Sequence, residues 1–186
     1  MWIPDANVSR HHTDILSVFN YYRMLAGGGM DVVLFAPIRL TYAGKPDCMV
    51  YPNIGIIIRR KGPRKIGDKN HEHQIYEGPP NFVVEIESKH GYTDLNKKRQ
   101  LYEASGVQET LFIENGKPAT WYQLRGGKFE ILGQEPSGTI QSRALPGFTL
   151  DFEKLKNHKW LEMMNDLKQS VGETDVAKQL QTEYGM

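Results

Sequence analysis

The sequence predicts an α/β (α+β) domain, and three patterns carry that prediction. Apolar residues recur at helical spacing along 9–26. Short runs rich in β-branched residues at 30–35, 38–42, 54–58 and 82–87 have the length and alternation of strands. A second helical segment at 94–105 is followed by strands at hairpin spacing.

Composition narrows the class of protein. With 186 residues, 39% hydrophobic and 24% charged, the chain is sized for one soluble globular domain with a real core. The formal net charge is +1, so any contact with nucleic acid must come from a local patch. A single cysteine, Cys48, excludes an intrachain disulfide and suits a reducing, cytoplasmic setting. There is no apolar run of membrane-spanning length, and the N-terminus lacks a signal-peptide pattern, so no membrane partner is expected.

In chain order, Ser9 is the expected N-cap of the first helix. Ile15, Leu16, Phe19, Tyr22 and Leu25 form its apolar face, and Gly27-Gly28-Gly29 stops it. His11 and His12 fall in its first turn and read as surface or packing residues. Strands at 30–35 and 38–42 are separated by Pro37. Pro46 opens the next strand, which sets Asp47 at a strand entry, where a carboxylate reaches a cleft without being entombed. The plainer reading of Asp47 is an aspartate that satisfies turn backbone.

Residues 59–78 change character. Arg59, Arg60, Lys61, Arg64, Lys65 and Lys69 crowd a stretch broken by Gly62-Pro63 and Gly67, which reads as a basic loop able to neutralise phosphates, or as a solvated loop. His71 and His73 have no third ligand at a recognisable spacing and read as surface residues.

The stretch 82–102 concentrates the chemistry. Alternation puts Glu85 and Glu87 on one face with Val83, while Phe82, Val84 and Ile86 take the other. Two carboxylates on an apolar strand need partners, because an unpaired buried charge costs several kcal/mol, roughly. In the helix that follows, Thr93 or Asp94 is the N-cap and Gly106 the C-terminal cap, and Leu95, Lys98 and Tyr102 share the inward face. An inward lysine beside an acidic strand either meets a carboxylate-bound metal or a phosphate, or forms a salt bridge to Glu85 or Glu87.

Beyond the helix, 109–114 and 119–125 pair across Asn115-Gly116, and Gly126-Gly127 turns into 128–132. A short strand at 139–142 and a turn at Leu145-Pro146-Gly147-Phe148 follow. From Asp151 the pattern is helical, with Phe152, Leu155, Trp160, Leu161, Met164 and Leu167 as the expected buried face and a break at Val171-Gly172. The tail 173–186 is polar.

These pieces, in this order, resemble the PD-(D/E)xK nuclease superfamily and, more narrowly, the Uma-two (Uma2) family of restriction-endonuclease-like proteins. The resemblance rests on Ser9-x-x-His12, Pro46-Asp47, Pro79-Pro80 leading into Phe82 to Ser88, Asp94-x-x-x-Lys98-x-x-x-Tyr102, Gly106-Val107 and Leu145 to Phe148. It implies a restriction-endonuclease-like fold, a central mixed sheet flanked by helices, over 1–157, with 158–186 as a helical extension of the same domain. It further implies a metal-dependent endonuclease acting on DNA. Asp47 and Glu85 would hold magnesium, or manganese in its place, and Lys98 would position water or phosphate. Glu87 stands where the superfamily's usual lysine would be, and becomes a further carboxylate near the metal or a partner of Lys98. Lys89 competes with Lys98 for the lysine's role, Tyr102 would orient Lys98, and Asp14 is a remote third carboxylate. Cutting a duplex implies a homodimer, since one such site cuts one strand. The rival reading is a catalytically silent nuclease-fold module that binds nucleic acid or a protein partner.

Overall fold

Alternation along one strand divides this molecule into two cores. Every residue of β7 (Phe82–Ile86) is buried. Phe82, Val84 and Ile86 enter one apolar cluster, while Val83 enters another on the opposite face. β4 (Ile54–Ile58) is likewise buried throughout, with Ile54, Ile56 and Ile58 in the first cluster and Ile57 in the second. Strands buried on both faces read as continuous apolar runs, as these two do. The computed structural model describes residues 6–27, 29–42, 45–59, 64–67, 74–87, 94–114, 116–136 and 138–173.

The central sheet is mixed and six-stranded, in the order β1-β4-β7-β8-β9-β10, with β1 at Met30–Leu34, β8 at Glu109–Ile113, β9 at Thr120–Arg125 and β10 at Lys128–Gln134. Among the described strands of this sheet only β7 and β8 pair in parallel, with Phe82 opposite Glu109 and Ile86 opposite Ile113. A parallel pair cannot be closed by a tight turn, so the chain crosses over through α2 (Leu95–Ser105). A second, four-stranded sheet has the order β3-β2-β6-β5, from β2 (Ile38–Tyr42), β3 (Lys45–Val50), β5 (Arg64–Gly67) and β6 (Gln74–Glu77). The chain passes from one sheet to the other between Leu34 and Ile38, where Phe35 takes a left-handed φ of 47° ahead of Pro37.

One face of the central sheet carries α1 (Ala6–Leu25), α3 (Phe152–Lys156) and α4 (Trp160–Glu173). Phe148 lies at the middle of this core, stacked on Phe19 at 4.5 Å, with Phe82 and Trp121 meeting edge to face beside it. The turn predicted at 145–148 is therefore a core element, and Tyr22 OH donates to Pro146 O at 2.8 Å to hold it. The other face is covered by α2 and the four-stranded sheet, which bring Leu95, Tyr102, Ile38, Leu40, Val50 and Tyr76 against Val83 and Phe112.

Three expectations need correction. The first helix begins by Ala6 rather than Ser9. Part of the expected basic loop is strand, because 64–67 pairs antiparallel with β6, a strand too short to announce itself in the sequence. The helix expected from Asp151 starts there, with Asp151 as the N-cap of α3, directly after strand β12 (Thr149–Asp151), which pairs with β11 (Thr139–Gln141). The C-terminal helix is two helices, broken at Asn157 and His158, whose φ is 54°. The break resets the helical phase, so Met163, Leu167 and Val171 are buried while Trp160 and Leu161 are exposed, and α4 continues through Val171-Gly172. The tail beyond 173, Thr93, the turn residue Asn115, and His71 and His73 lie outside the described residues.

Candidate functional site

Glu85 occupies the face of β7 that looks toward α2, two residues beyond Val83 and in the same direction. α2 starts where its signals place it. The Asp94 carboxylate accepts the Lys97 N–H at 3.1 Å, which satisfies one of the orphan donors of the first turn. Gly106 ends the helix at a φ of 85°, a conformation that costs glycine little. Fixed ends set the helical phase, so Lys98 and Tyr102 lie one turn apart on one face, aimed at β7.

Both side chains converge on one carboxylate. Lys98 Nζ donates to Glu85 Oε1 and Oε2, at 2.8 Å each, and to the Tyr51 carbonyl at 3.3 Å. Tyr102 OH donates to Glu85 Oε1 at 2.5 Å. The Asn53 backbone N–H also supports the carboxylate, and the Asn53 side-chain oxygen accepts the Ile86 N–H at 2.7 Å, pinning the loop to the strand. The Glu85 side chain is 1% exposed and that of Lys98 19%, so the cluster meets solvent on its lysine side.

Burial is the largest influence on Glu85 and raises its pKa above the usual carboxylate range, against the charge and hydrogen bonds of Lys98, Tyr102 and Asn53. Burial, then the charge of Glu85, push the Tyr102 phenol well above its ordinary value. A buried ion pair contributes little net stability, since desolvation offsets much of the attraction. An acid and a base paired at this depth, on side chains 1% and 19% exposed, therefore mark a functional candidate. Chemically, the cluster offers a cation for an anionic ligand and a carboxylate disposed to take up a proton.

The other predicted residues are placed elsewhere. Asp47 is exposed and accepts the Thr41 hydroxyl at 2.9 Å. Its neighbours Cys48 and Val50 pack into the second core, so alternation along β3 turns Asp47 outward. Glu87 is half-buried, its N–H donates to the Ile113 carbonyl at 2.8 Å, and its charge acts on Lys117. Arg59 pairs with Asp31 at 2.9 Å. It follows the C-terminal end of β4, which runs antiparallel to β7, and so lies at the opposite end of the sheet from Glu85. Asp14 pairs with His158 at 2.7 Å. Lys89, Arg60 and Lys61 lie outside the described residues, and Arg64 and Lys65 belong to β5. The sequence reading missed Asn53 and the Tyr51 carbonyl, because nothing local to Tyr51-Pro52-Asn53 signals the partner it clamps.

The donor set was read against the divalent cation that the family resemblance implies. Among the described residues no three His, Cys, Asp or Glu side chains converge as metal ligands. The oxygens of Glu85 are engaged by Lys98 and Tyr102, and the Asp47 carboxylate is held by Thr41. Arranged this way, the residues do not fit a magnesium ion shared by Asp47 and Glu85, because an ammonium already fills the cation's place on the carboxylate.

The chain matches the Uma2 family, described as "Putative restriction endonuclease", over residues 4–153. Among solved structures it is similar to a protein from Anabaena variabilis described as a putative nuclease belonging to DUF820. The TM-score is 0.61 at 19% sequence identity, with 86% of this chain and 84% of that chain covered. At this identity the likeness speaks to the fold alone. No curated protein matches the sequence. Among the described residues, no helix is long and apolar enough to cross a membrane.

Proposed function

Because this chain belongs to the Uma2 family, whose fold it shares with a nuclease-like neighbour, we propose that it is a nuclease hydrolysing phosphodiester bonds of DNA at the Glu85, Lys98 and Tyr102 cluster. One observation carries the reading: the Lys98 ammonium stands 2.8 Å from both oxygens of a buried carboxylate, on a side chain that is itself 19% exposed.

In this reading Lys98 binds the scissile phosphate and offsets the negative charge that builds as it is attacked, a preorganised electrostatic contribution. Glu85 holds the ammonium in place before substrate arrives, and once phosphate draws Lys98 off one of its oxygens the carboxylate takes up the proton of the attacking water. Tyr102 orients both. Lys89 and Glu87 stand as supporting residues, and Arg59, Arg60, Lys61, Arg64 and Lys65 as contacts to more distant phosphates. Asp47 with Glu85 would hold magnesium or manganese only if the carboxylate exchanged its ammonium for the ion, so metal dependence enters as an arm of the test. A homodimer would bring two such sites to a duplex, which sedimentation of the pure protein checks.

The experiment incubates plasmid and single-stranded DNA with parent and Lys98→Ala protein, in magnesium, in manganese and in chelator. Cutting by the parent that falls on the order of 10²–10³-fold in Lys98→Ala is the expected result. Equal cutting by both proteins removes Lys98 from the mechanism. No cutting by the parent under any condition favours the silent module, for which the saturated Glu85 carboxylate is the supporting feature.

A further inference from the structure

The loop that carries the Tyr51 carbonyl presents more than a hydrogen-bond acceptor. The Tyr51 side chain is 55% exposed, and among the described residues it has no hydrogen bond and no ring partner. Its backbone, by contrast, is fixed on every side. The Tyr51 carbonyl accepts the Lys98 ammonium, and Pro52 behind it is buried. The Pro52 carbonyl accepts the Phe35 N–H at 3.1 Å, and Asn53 is tied to Ile86. An exposed ring on an anchored loop presents a flat apolar face with little conformational entropy left to lose on binding.

Phe35 lies across that backbone bond at the same end of the sheet. It is 47% exposed, its ring meets His12 edge to face at 5.5 Å, and its φ of 47° is a conformation that residues bearing a side chain rarely adopt. The strained turn sends this ring toward α1, on the face of the sheet opposite α2, so Tyr51 stands as the exposed ring on the Lys98 side. Met49, 37% exposed, sits two residues before Tyr51 on the outward side of β3.

The geometry points to Tyr51 as a stacking platform for an unpaired base whose phosphate lies on the Lys98 ammonium, making single-stranded or locally unpaired nucleic acid the preferred substrate class. The argument is one of access. A base inside a duplex has both faces covered by its neighbours and shows a side chain only its edges, whereas an unpaired base offers a face that stacks on any aromatic ring. The ammonium and the ring belong to adjoining groups, since the residue that supplies the ring also supplies the carbonyl that steers the ammonium. Phosphate and base of one nucleotide are thus addressed by Lys98 on α2 and by the loop that holds its ammonium. Stacking is tolerant of base identity, so the platform selects strandedness more than sequence.

The identity of the ligand as nucleic acid rests on the nuclease reading, but the test is independent of turnover. Fluorescence anisotropy in chelator compares a labelled mixed-sequence single strand with the duplex of the same sequence, for the parent, Tyr51→Ala and Tyr51→Phe proteins. The parent should bind the single strand more tightly. Tyr51→Ala should weaken that binding about 5- to 150-fold with less effect on the duplex, and Tyr51→Phe should retain it. Circular dichroism melting of the exposed-site variants should match the parent, which separates lost stacking from lost folding. Duplex preference in the parent, absence of oligonucleotide binding, or unchanged affinity in Tyr51→Ala overturns the inference. A parent that binds single strands through Tyr51 but cuts none overturns the nuclease reading and leaves this one standing.

Discussion

Replacing Lys98 by methionine keeps most of the apolar stem and deletes the ammonium from a carboxylate that is 1% exposed. Glu85 then loses two contacts of 2.8 Å and keeps only the Tyr102 hydroxyl and the Asn53 N–H. If Glu85 stays ionised, stripping its partner costs about 3–5 kcal/mol. It can avoid most of that by binding a proton, after which the loss shrinks to about 1 kcal/mol of hydrogen bonding. The sign follows from linkage. Burial already sets the folded pKa of Glu85 above its unfolded value, and removing Lys98 raises it further. A raised folded pKa gives stability that is present below the unfolded pKa and lost as pH rises through the folded one. The deficit of Lys98→Met against the parent is therefore smallest near pH 4–5, about the ordinary carboxylate range, and widens toward pH 8. Urea denaturation at the two ends of that interval measures it. Adding Glu85→Gln to Lys98→Met should recover much of the loss, because an amide needs no counter-charge. A deficit independent of pH, or a double variant no more stable than the single, refutes the reasoning.

Three further outcomes follow from the same structure. Tyr102→Phe removes the 2.5 Å donor to Glu85 and should cost about 1–3 kcal/mol, with the loss larger at pH 8 than at pH 5, in thermal denaturation. Glu109, buried at the start of β8, accepts Trp121 Nε1 and Ser142 Oγ on one oxygen and the Arg143 and Ala144 N–H groups on the other. Burial raises its pKa, so the parent loses stability as pH rises from the ordinary carboxylate range through the raised value. Glu109→Gln should flatten that slope while costing about 1–3 kcal/mol at low pH, where one amide nitrogen faces donors that an oxygen accepted. Gly106→Ala should cost about 1 kcal/mol, from the left-handed φ of 85° alone, since an added Cβ meets nothing within 4 Å; Gly106→Asn should cost less, and chemical denaturation ranks the pair.

Much of the site was legible because its parts are local. The period of two along β7 sends Glu85 to the face of Val83, and the period of 3.6 along α2 sends Lys98 and Tyr102 to a common side once Asp94 and Gly106 fix the ends. The choice of Glu85 over Glu87 as the partner of Lys98 was not legible, because both carboxylates occupy the same face in the sequence pattern. Nor was the outward aim of Asp47, which depends on Cys48 and Val50 being claimed by the second core. The short strands β5, β6 and β12 escaped notice because three or four residues carry too little alternation to register, and they hold only by pairing with a neighbour. The divided C-terminal helix shows the same limit, since Trp160 and Leu161 look buried until the phase resets at His158.

By itself the sequence determined the periodic elements, their caps and the faces they present, since these follow from backbone geometry within a few residues. Only the tertiary structure decided which elements became neighbours. It put the Tyr51 carbonyl against an ammonium 47 residues away, sent Arg59 to the far end of the sheet, and seated Phe148 between helix and strand. The physical reason is that such contacts are selected by burying the apolar surface of the whole chain at once, a balance that no stretch of neighbouring residues contains.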